Sequence, residues 1–210
     1  MLFRSLIPIA GVVAALGVAL LLVSGAPPLR AVGALLAAAG GVPLALSRTS
    51  QAQTLLDRPA LLGIGVVVGV VVLAVLTLFM LRYPWLVLPL ALVIGLRIPL
   101  RTPPSPTDHL APLYIVLAAG VLALVITSLR TGGPPNRLGY VGYALAAYVL
   151  IAAASLFWSV DRDATAYAVA AFTLPLGILA ALTGALLPVP PLTRVLPSLL
   201  IVRSEEHTSE

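Results

Sequence analysis

The densest group of chemically active side chains lies in the stretch RIPLRTPPSPTDH, residues 97–109. Arg97 and Arg101 are four residues apart, so they share one face if the preceding helix continues that far. Two guanidinium groups on one face can hold a diphosphate through charge-assisted hydrogen bonds, which makes these two arginines the candidate substrate-binding residues. The favoured interpretation is interfacial anchoring, in which the arginines mark a membrane boundary and Asp108 or Thr107 caps the next helix.

Metal and nucleophile chemistry have little support in the residue types. The chain has no cysteine, which excludes thiol nucleophiles, disulfides and cysteine-ligated metals. His109 has no second ligand at the spacing that a metal site requires, so we expect no metal site and no cofactor. The sequence contains no serine–histidine–aspartate order and no phosphate-binding loop, and we assign no catalytic residue.

A second compact polar stretch is SLFWSVDRDA, residues 155–164. Asp161 and Asp163 could in principle do acid–base work, but an arginine lies between them and the loop is short. Capping is the better account, because Ser159 or Asp161 can cap the next helix and Asp163 complements its positive N-terminal dipole. We therefore expect a helix to begin between Ser159 and Asp163, with Trp158 at the bilayer interface.

The glycines of GIGVVVG, residues 63–69, resemble a dinucleotide-binding loop only superficially. They lie inside an unbroken apolar run with no preceding strand, so the dinucleotide interpretation fails. Gly65 and Gly69 are four residues apart on one helix face, and their missing side chains are expected to let a neighbouring helix approach closely.

The composition of the chain requires lipid as its solvent. Sixty per cent of the residues are hydrophobic, 9% are charged and the mean hydropathy is +1.12. A soluble domain of this length cannot bury that much apolar surface. The basic residues are arginines scattered singly between apolar runs, which excludes a nucleic-acid-binding footprint. The partner that the composition predicts is membrane lipid.

Apolar runs of about the length of a membrane span recur along the chain, since a spanning helix needs about 20 mostly apolar residues. They cover residues 6–23, 29–46, 60–81, 85–96, 110–129, 138–157 and 164–187. The run 85–96 is only twelve residues long and contains Pro89, which is typical of a short, tilted or re-entrant segment. Pro175 is expected to kink the seventh run. The predicted fold is an all-α polytopic transmembrane helix bundle with six or seven spans.

The order of these segments resembles the N-terminal half of the O-antigen ligase-like family. The resemblance covers residues 55–187: LRIPL, the proline-rich loop with Asp108 and His109, LAPLYIVLAAGVLAL, and the S-x-x-W-S-x-D element at 155–161. It implies a glycosyltransferase of the bacterial inner membrane that moves a glycan from a polyprenyl diphosphate carrier to an acceptor in cell-envelope polysaccharide synthesis. It also implies that arginines and a histidine in later helices and a large outer loop bind the diphosphate or activate the acceptor, without a metal.

Two other functions remain open on the sequence. A multi-pass transporter or permease has apolar spans and kinked helices too, and a non-catalytic membrane subunit packs such spans against its partners. No charged residue lies deep in the six longer apolar runs, where ion or proton relays place one, and this argues against the transporter.

The chain ends in RSEEHTSE, residues 203–210, which holds all three glutamates of the sequence. The start of a common short-read sequencing adapter encodes the same eight residues in frame. We therefore expect a membrane bundle over residues 1–202 that belongs to a longer natural protein, followed by a foreign, exposed tail over 203–210. Because the resemblance places the reacting groups in later helices, we expect residues 1–210 alone to transfer no glycan.

Overall fold

The computed structural model of the chain describes residues 2–46, 59–95, 110–133 and 137–186. Within these ranges the regular elements are helical and no strand occurs, which confirms the all-α prediction. In chain order the α-helices are α1 (Leu2–Val23), α2 (Pro27–Leu46), α3 (Pro59–Arg82), α4 (Val87–Gly95), α5 (Leu110–Thr131), α6 (Tyr140–Ala154), α7 (Arg162–Ala168) and α8 (Leu174–Leu186).

Five described segments are long and apolar enough to cross a membrane, which makes the protein a multi-pass membrane protein by length and composition. They are Pro27–Leu44, Gly65–Arg82, Pro112–Thr131, Tyr140–Phe157 and Arg162–Leu186, and α1 adds a shorter apolar stretch, Ile7–Val23. The described part of the short run 85–96 forms a 3-10 turn, Pro84–Leu86, followed by the nine residues of α4. At about 1.5 Å rise per residue, α4 is too short to cross the hydrocarbon layer.

The last span departs from α-helical geometry next to a proline. A π-helical turn, Val169–Thr173, joins α7 to α8, and the N–H of Leu174 donates to the carbonyl of Val169 five residues back. Pro175 follows at once and has no N–H to donate. The change of hydrogen-bonding pattern thus lies at the turn that precedes Pro175, and the predicted kink stays a prediction.

Helices α1 and α2 form a hairpin whose backbones come into direct contact. A methyl group on Gly40 would overlap the backbone of Ala10 and Ala14. At the other end of the hairpin, a methyl group on Gly17 would overlap the backbone of Ala37. Glycine is required at these points because no other residue lets two helix backbones approach so closely.

The rest of the buried core is aliphatic and gathers around α1, α5 and α8. Large side chains fill it, and small residues let neighbouring helices close over them. The side chain of Val18 in α1 packs against Gly177 of α8, and the side chain of Leu182 in α8 packs against Gly120 of α5. The largest fully buried aliphatic side chains of these three helices are Val18, Leu22, Leu117, Leu124, Leu174 and Leu182.

The N-terminal half of α3 lies outside this core. Val66, Val68 and Val71 are each more than half exposed, while Thr77 and Met80 further along α3 are buried. A Cβ atom added at Gly65 or Gly69 would meet nothing within 4 Å. The prediction that these two glycines receive a neighbouring helix is therefore wrong for the described part of the chain.

Candidate functional site

The candidate substrate-binding residues of the sequence, Arg97 and Arg101, lie outside the residues that the structure describes. The same is true of Asp108 and His109, and of the tail over 203–210. Their roles stay predictions, and the candidate site must be sought in the described helices and the connections between them.

The stretch 155–164 is described in full and forms a tight connection between α6 and α7. A 3-10 turn, Ser155–Phe157, ends the first of these helices, and α7 begins at Arg162. The carboxylate of Asp161 accepts a hydrogen bond of 2.9 Å from the backbone N–H of Ala164. Asp161 is therefore the N-cap of α7, and the helix begins within the predicted interval.

Two hydroxyl groups reinforce this cap. The hydroxyl oxygens of Thr165 and Ser159 lie 2.8 Å and 3.0 Å from the backbone carbonyl oxygen of Asp161, within hydrogen-bond distance. The two hydroxyl oxygens lie 2.6 Å apart. The carboxylates of Asp161 and Asp163 are exposed, and the connection positions a helix end rather than a pair of groups for proton transfer. Capping is the chemistry that this geometry supports.

Replacing Asp161 with alanine is expected to lower the free energy of unfolding by about 1 kcal/mol or less, because only one capping hydrogen bond is lost. The Asp161→Asn variant keeps a side-chain oxygen at the cap and should match the parent protein. SDS titration in mixed micelles, followed by circular dichroism, measures both. A loss for Asp161→Ala several times larger than this would show that the carboxylate does more than cap α7.

Trp158 is the most prominent aromatic side chain of the connection. It is 67% exposed, and the neighbouring Phe157 is more than half exposed as well. Exposed aromatic rings at the end of a span suit the boundary between headgroups and hydrocarbon, where their apolar faces and polar edges are both satisfied. The position of Trp158 in the bilayer stays a prediction.

A buried arginine joins three helix ends at the opposite end of α6. Arg30, in the first turn of α2, is 1% exposed. Its Nε–H donates to the backbone carbonyl of Ser24 at 3.0 Å, and its Nη1–H donates to the hydroxyl of Ser128 at 3.0 Å. Ser24 directly follows α1, and Ser128 lies in the last turn of α5. These bonds use two of the five N–H donors of the guanidinium.

Neutral polar groups and the C-terminal ends of two helices stabilise the positive charge of Arg30. The two aspartates of the described residues, Asp161 and Asp163, lie at the far end of the bundle. The guanidinium instead meets the C-terminal ends of α1 and α5, where unpaired carbonyl groups carry partial negative charge. Its own position at the N-terminus of α2 is unfavourable for a cation, so these contacts must outweigh that repulsion.

The sequence places Arg30 only at a helix boundary. A single arginine after two prolines is indistinguishable from the interfacial arginines elsewhere in the chain, because its partners lie on other helices. The sequence around Ser128, which is 98 residues from Arg30, does not indicate this contact either. The serine on α5 and the arginine on α2 are recognised as a pair only in the tertiary structure.

A tyrosine on α5 supplies the hydrogen bond that Pro175 cannot. The hydroxyl of Tyr114 donates to the backbone carbonyl of Ala170 at 2.9 Å. Ala170 would normally pair with Leu174 in an α-helix or with Pro175 in a π-turn. The N–H of Leu174 is already bonded to Val169, and Pro175 has none. The tyrosine therefore satisfies a carbonyl that the helix itself leaves without a donor.

Replacing Tyr114 with phenylalanine should lower the free energy of unfolding by about 1 kcal/mol, because the carbonyl of Ala170 loses its donor at nearly constant side-chain volume. Amide hydrogen exchange in the turn Val169–Thr173 should become faster at the same time. Tyr143→Phe is the matched control, since Tyr143 is 60% exposed. Equal exchange in the two variants would show that the hydroxyl of Tyr114 does not hold the π-turn.

The described part of the chain thus contains a helix-capping connection at one end and a buried arginine at the other. No group of three histidine, aspartate or glutamate side chains within the described ranges lies close enough to hold a metal ion. No protein-family model, curated protein or solved structure matches the chain. The function must therefore be argued from the sequence pattern and the geometry of the bundle.

Proposed function

We propose that the protein belongs to a membrane glycosyltransferase system of the O-antigen ligase-like class in the bacterial inner membrane. In this reaction an acceptor hydroxyl attacks the anomeric carbon of a glycan, and the bond to the polyprenyl diphosphate breaks. The diphosphate leaves with the bonding electron pair, and the acceptor proton passes to a base. The chain contributes a helical bundle in which a lipid-linked donor can lie beside the spans.

The observation that carries this proposal is the S-x-x-W-S-x-D element at residues 155–161 in its structural setting. Ser155 begins a 3-10 turn, Trp158 is exposed at the end of the span, and Asp161 caps the following helix. The element thus reverses the chain between two apolar helices. A turn of this kind at the interface suits a protein whose substrates carry their reacting groups at headgroup level.

A transporter or permease and a non-catalytic subunit are the rival functions. A proton or ion relay places ionisable side chains deep inside the bundle. Among the described residues, Arg30 is the buried charged side chain, and it lies in the first turn of its helix rather than at the middle. This placement favours the transferase proposal over transport.

Binding of the lipid-linked donor tests the proposal without requiring turnover. The purified chain is incubated with a polyprenyl-diphosphate-linked glycan and, separately, with the polyprenyl monophosphate, and retained lipid is counted by native mass spectrometry. We expect preferential retention of the diphosphate. Arg97→Gln and Arg101→Gln should weaken it by about tenfold if each removes a charge-assisted hydrogen bond worth about 1.5 kcal/mol. Arg162→Gln, on an exposed capping turn, serves as the control.

Three outcomes would count against the transferase. They are equal retention of the two lipids, the same loss in the Arg162→Gln control, and solute flux driven by an ion gradient in vesicles holding the protein. The last result would establish the transporter. Glycan transfer by residues 1–210 that is abolished by Arg97→Ala would place the reacting site within this chain and contradict the expectation from the resemblance.

A further inference from the structure

One side of α6 faces away from the described bundle along the middle of its span. The buried residues of α6 share the opposite side of the helix, and they are Gly142, Ala146, Val149 and Ala153. The exposed residues are spaced three or four apart, as one helix face requires, and they are Ala144, Ala147, Tyr148 and Ile151. We call these four residues the outer face of α6.

Tyr148 distinguishes the outer face of α6 from an ordinary lipid-facing surface. It is 54% exposed and lies near the middle of the apolar stretch Tyr140–Phe157. At about 1.5 Å rise per residue, its Cα atom is about 12 Å from the start of α6. A tyrosine side chain is shorter than this distance, so its hydroxyl stays within the hydrocarbon layer. Tyr140 and Tyr143 lie in the first turn of α6, where tyrosine hydroxyls reach the headgroups.

The hydroxyl of Tyr148 makes no hydrogen bond within the described ranges of the chain. Tyr114, the other tyrosine deep in a span, donates to the carbonyl of Ala170 on a neighbouring helix. A hydroxyl that enters hydrocarbon without a partner loses its hydrogen bonds to water and gains none in return. Lipid tails have neither donors nor acceptors, so the partner that suits Tyr148 is a polar group on another transmembrane helix.

We propose that the outer face of α6 packs against the same face of a second copy of this chain. Two copies in one orientation are related by a two-fold axis along the membrane normal, which places Tyr148 opposite its symmetry mate at the same depth. A tyrosine hydroxyl both donates and accepts, so one hydroxyl donates to the other. This self-complementarity favours a second copy as the occupant, because no different polar group has to be supplied at that depth.

The neighbours of Tyr148 allow this approach. Ala144 and Ala147 have only a methyl group each, so two helices can come close enough for the tyrosine hydroxyls to meet. Ile151, 66% exposed one turn further along, adds apolar contact area. The inference does not rest on the proposed glycosyltransferase function, because it follows from the depth and exposure of one side chain.

The oligomeric state in lipid vesicles tests the proposal. The full chain has one fluorophore at its N-terminus and is reconstituted at decreasing protein-to-lipid ratios, and the copies per vesicle are counted by single-molecule photobleaching. We expect pairs in excess of random co-occupancy. Tyr148→Phe should weaken dimerisation by about three- to tenfold, because it removes one interhelical hydrogen bond at nearly constant volume. Tyr143→Phe is the matched control and should dimerise like the parent protein, since Tyr143 lies at headgroup level.

Cross-linking shows whether the outer face of α6 forms the contact. The chain has no cysteine, so a single introduced cysteine reports on one position. A short thiol-reactive reagent should link Ala144→Cys into dimers in vesicles. It should link Val71→Cys, on the exposed half of α3, only at the rate of random collisions. Chains that stay monomeric at every density, equal or stronger linking of Val71→Cys, or unweakened dimerisation of Tyr148→Phe would each overturn the proposal.

Discussion

Replacing Gly40 with alanine is expected to lower the free energy of unfolding by about 3 kcal/mol. The new Cβ atom would overlap the backbone of Ala10 and Ala14 on α1. Backbone atoms of a packed helix cannot rotate aside as a flexible side chain can, so α1 and α2 must separate. SDS titration in mixed micelles, followed by circular dichroism, measures the loss.

Gly65→Ala is the control for that prediction. Gly65 also lies within an apolar helix, but a Cβ atom there would meet nothing within 4 Å. The control should leave the free energy of unfolding unchanged or raise it by less than about 1 kcal/mol through helix propensity. A large loss at Gly65 together with a negligible one at Gly40 would mean that the helices pack through the pair Gly65 and Gly69, as the sequence pattern suggests.

Removing the hydroxyl of Ser128 should lower the free energy of unfolding by about 2 kcal/mol, because it accepts a hydrogen bond from a buried charged group. Ser128 is fully buried, and its hydroxyl is 3.0 Å from Nη1 of Arg30. In Ser128→Ala the guanidinium keeps its charge but loses one of its neutral partners. The loss reflects the desolvation of that charge more than the strength of one neutral hydrogen bond.

A double-mutant cycle separates this effect from simple packing. In the Arg30→Met background the charge is gone, and Ser128→Ala should cost less than about 0.5 kcal/mol, because the hydroxyl has no buried charge to satisfy. Ser155→Ala is the matched control, since the hydroxyl of Ser155 donates to the carbonyl of Ala152, a neutral group three residues earlier in the chain. Equal losses for Ser128→Ala in the two backgrounds would show that Ser128 does not stabilise the charge of Arg30.

The hydrogen bonds of Arg30 also connect parts of the bundle that are distant in the chain. Because Arg30 is held by Ser24 and Ser128, the ends of α1, α2 and α5 are joined by one side chain. Variants of this pair should therefore change the stability of the bundle.

The helical spans were predictable from the sequence because lipid leaves a chain few structural choices. Each backbone polar group in hydrocarbon must bond within its own helix, so an apolar run of sufficient length becomes a helix whatever its neighbours are. The run 110–129 is observed as Leu110–Thr131, and the run 29–46 as Pro27–Leu46. A cap at Ser159 or Asp161 was predictable because a capping side chain bonds to a backbone N–H only a few residues away. The structure places the cap at Asp161, whose partner, Ala164, is three residues further along the chain.

The contacts between helices were decided by the tertiary structure alone. Gly65 and Gly69 have the spacing of a packing motif, yet the close backbone approach occurs at Gly17 and Gly40. In lipid an apolar surface has no general drive to meet another, so small residues permit a close contact without specifying which helix fills it.

The polar contacts between helices were likewise decided by the tertiary structure. Tyr114 and Ala170 are 56 residues apart, and Arg30 and Ser128 are 98 residues apart. Each pair forms because a buried polar group must find a partner among the helices that happen to lie beside it. The sequence by itself determined that the chain forms apolar helices and where they end. Only the tertiary structure decided which helices meet, because that choice depends on shape and polar matching between segments distant in the chain.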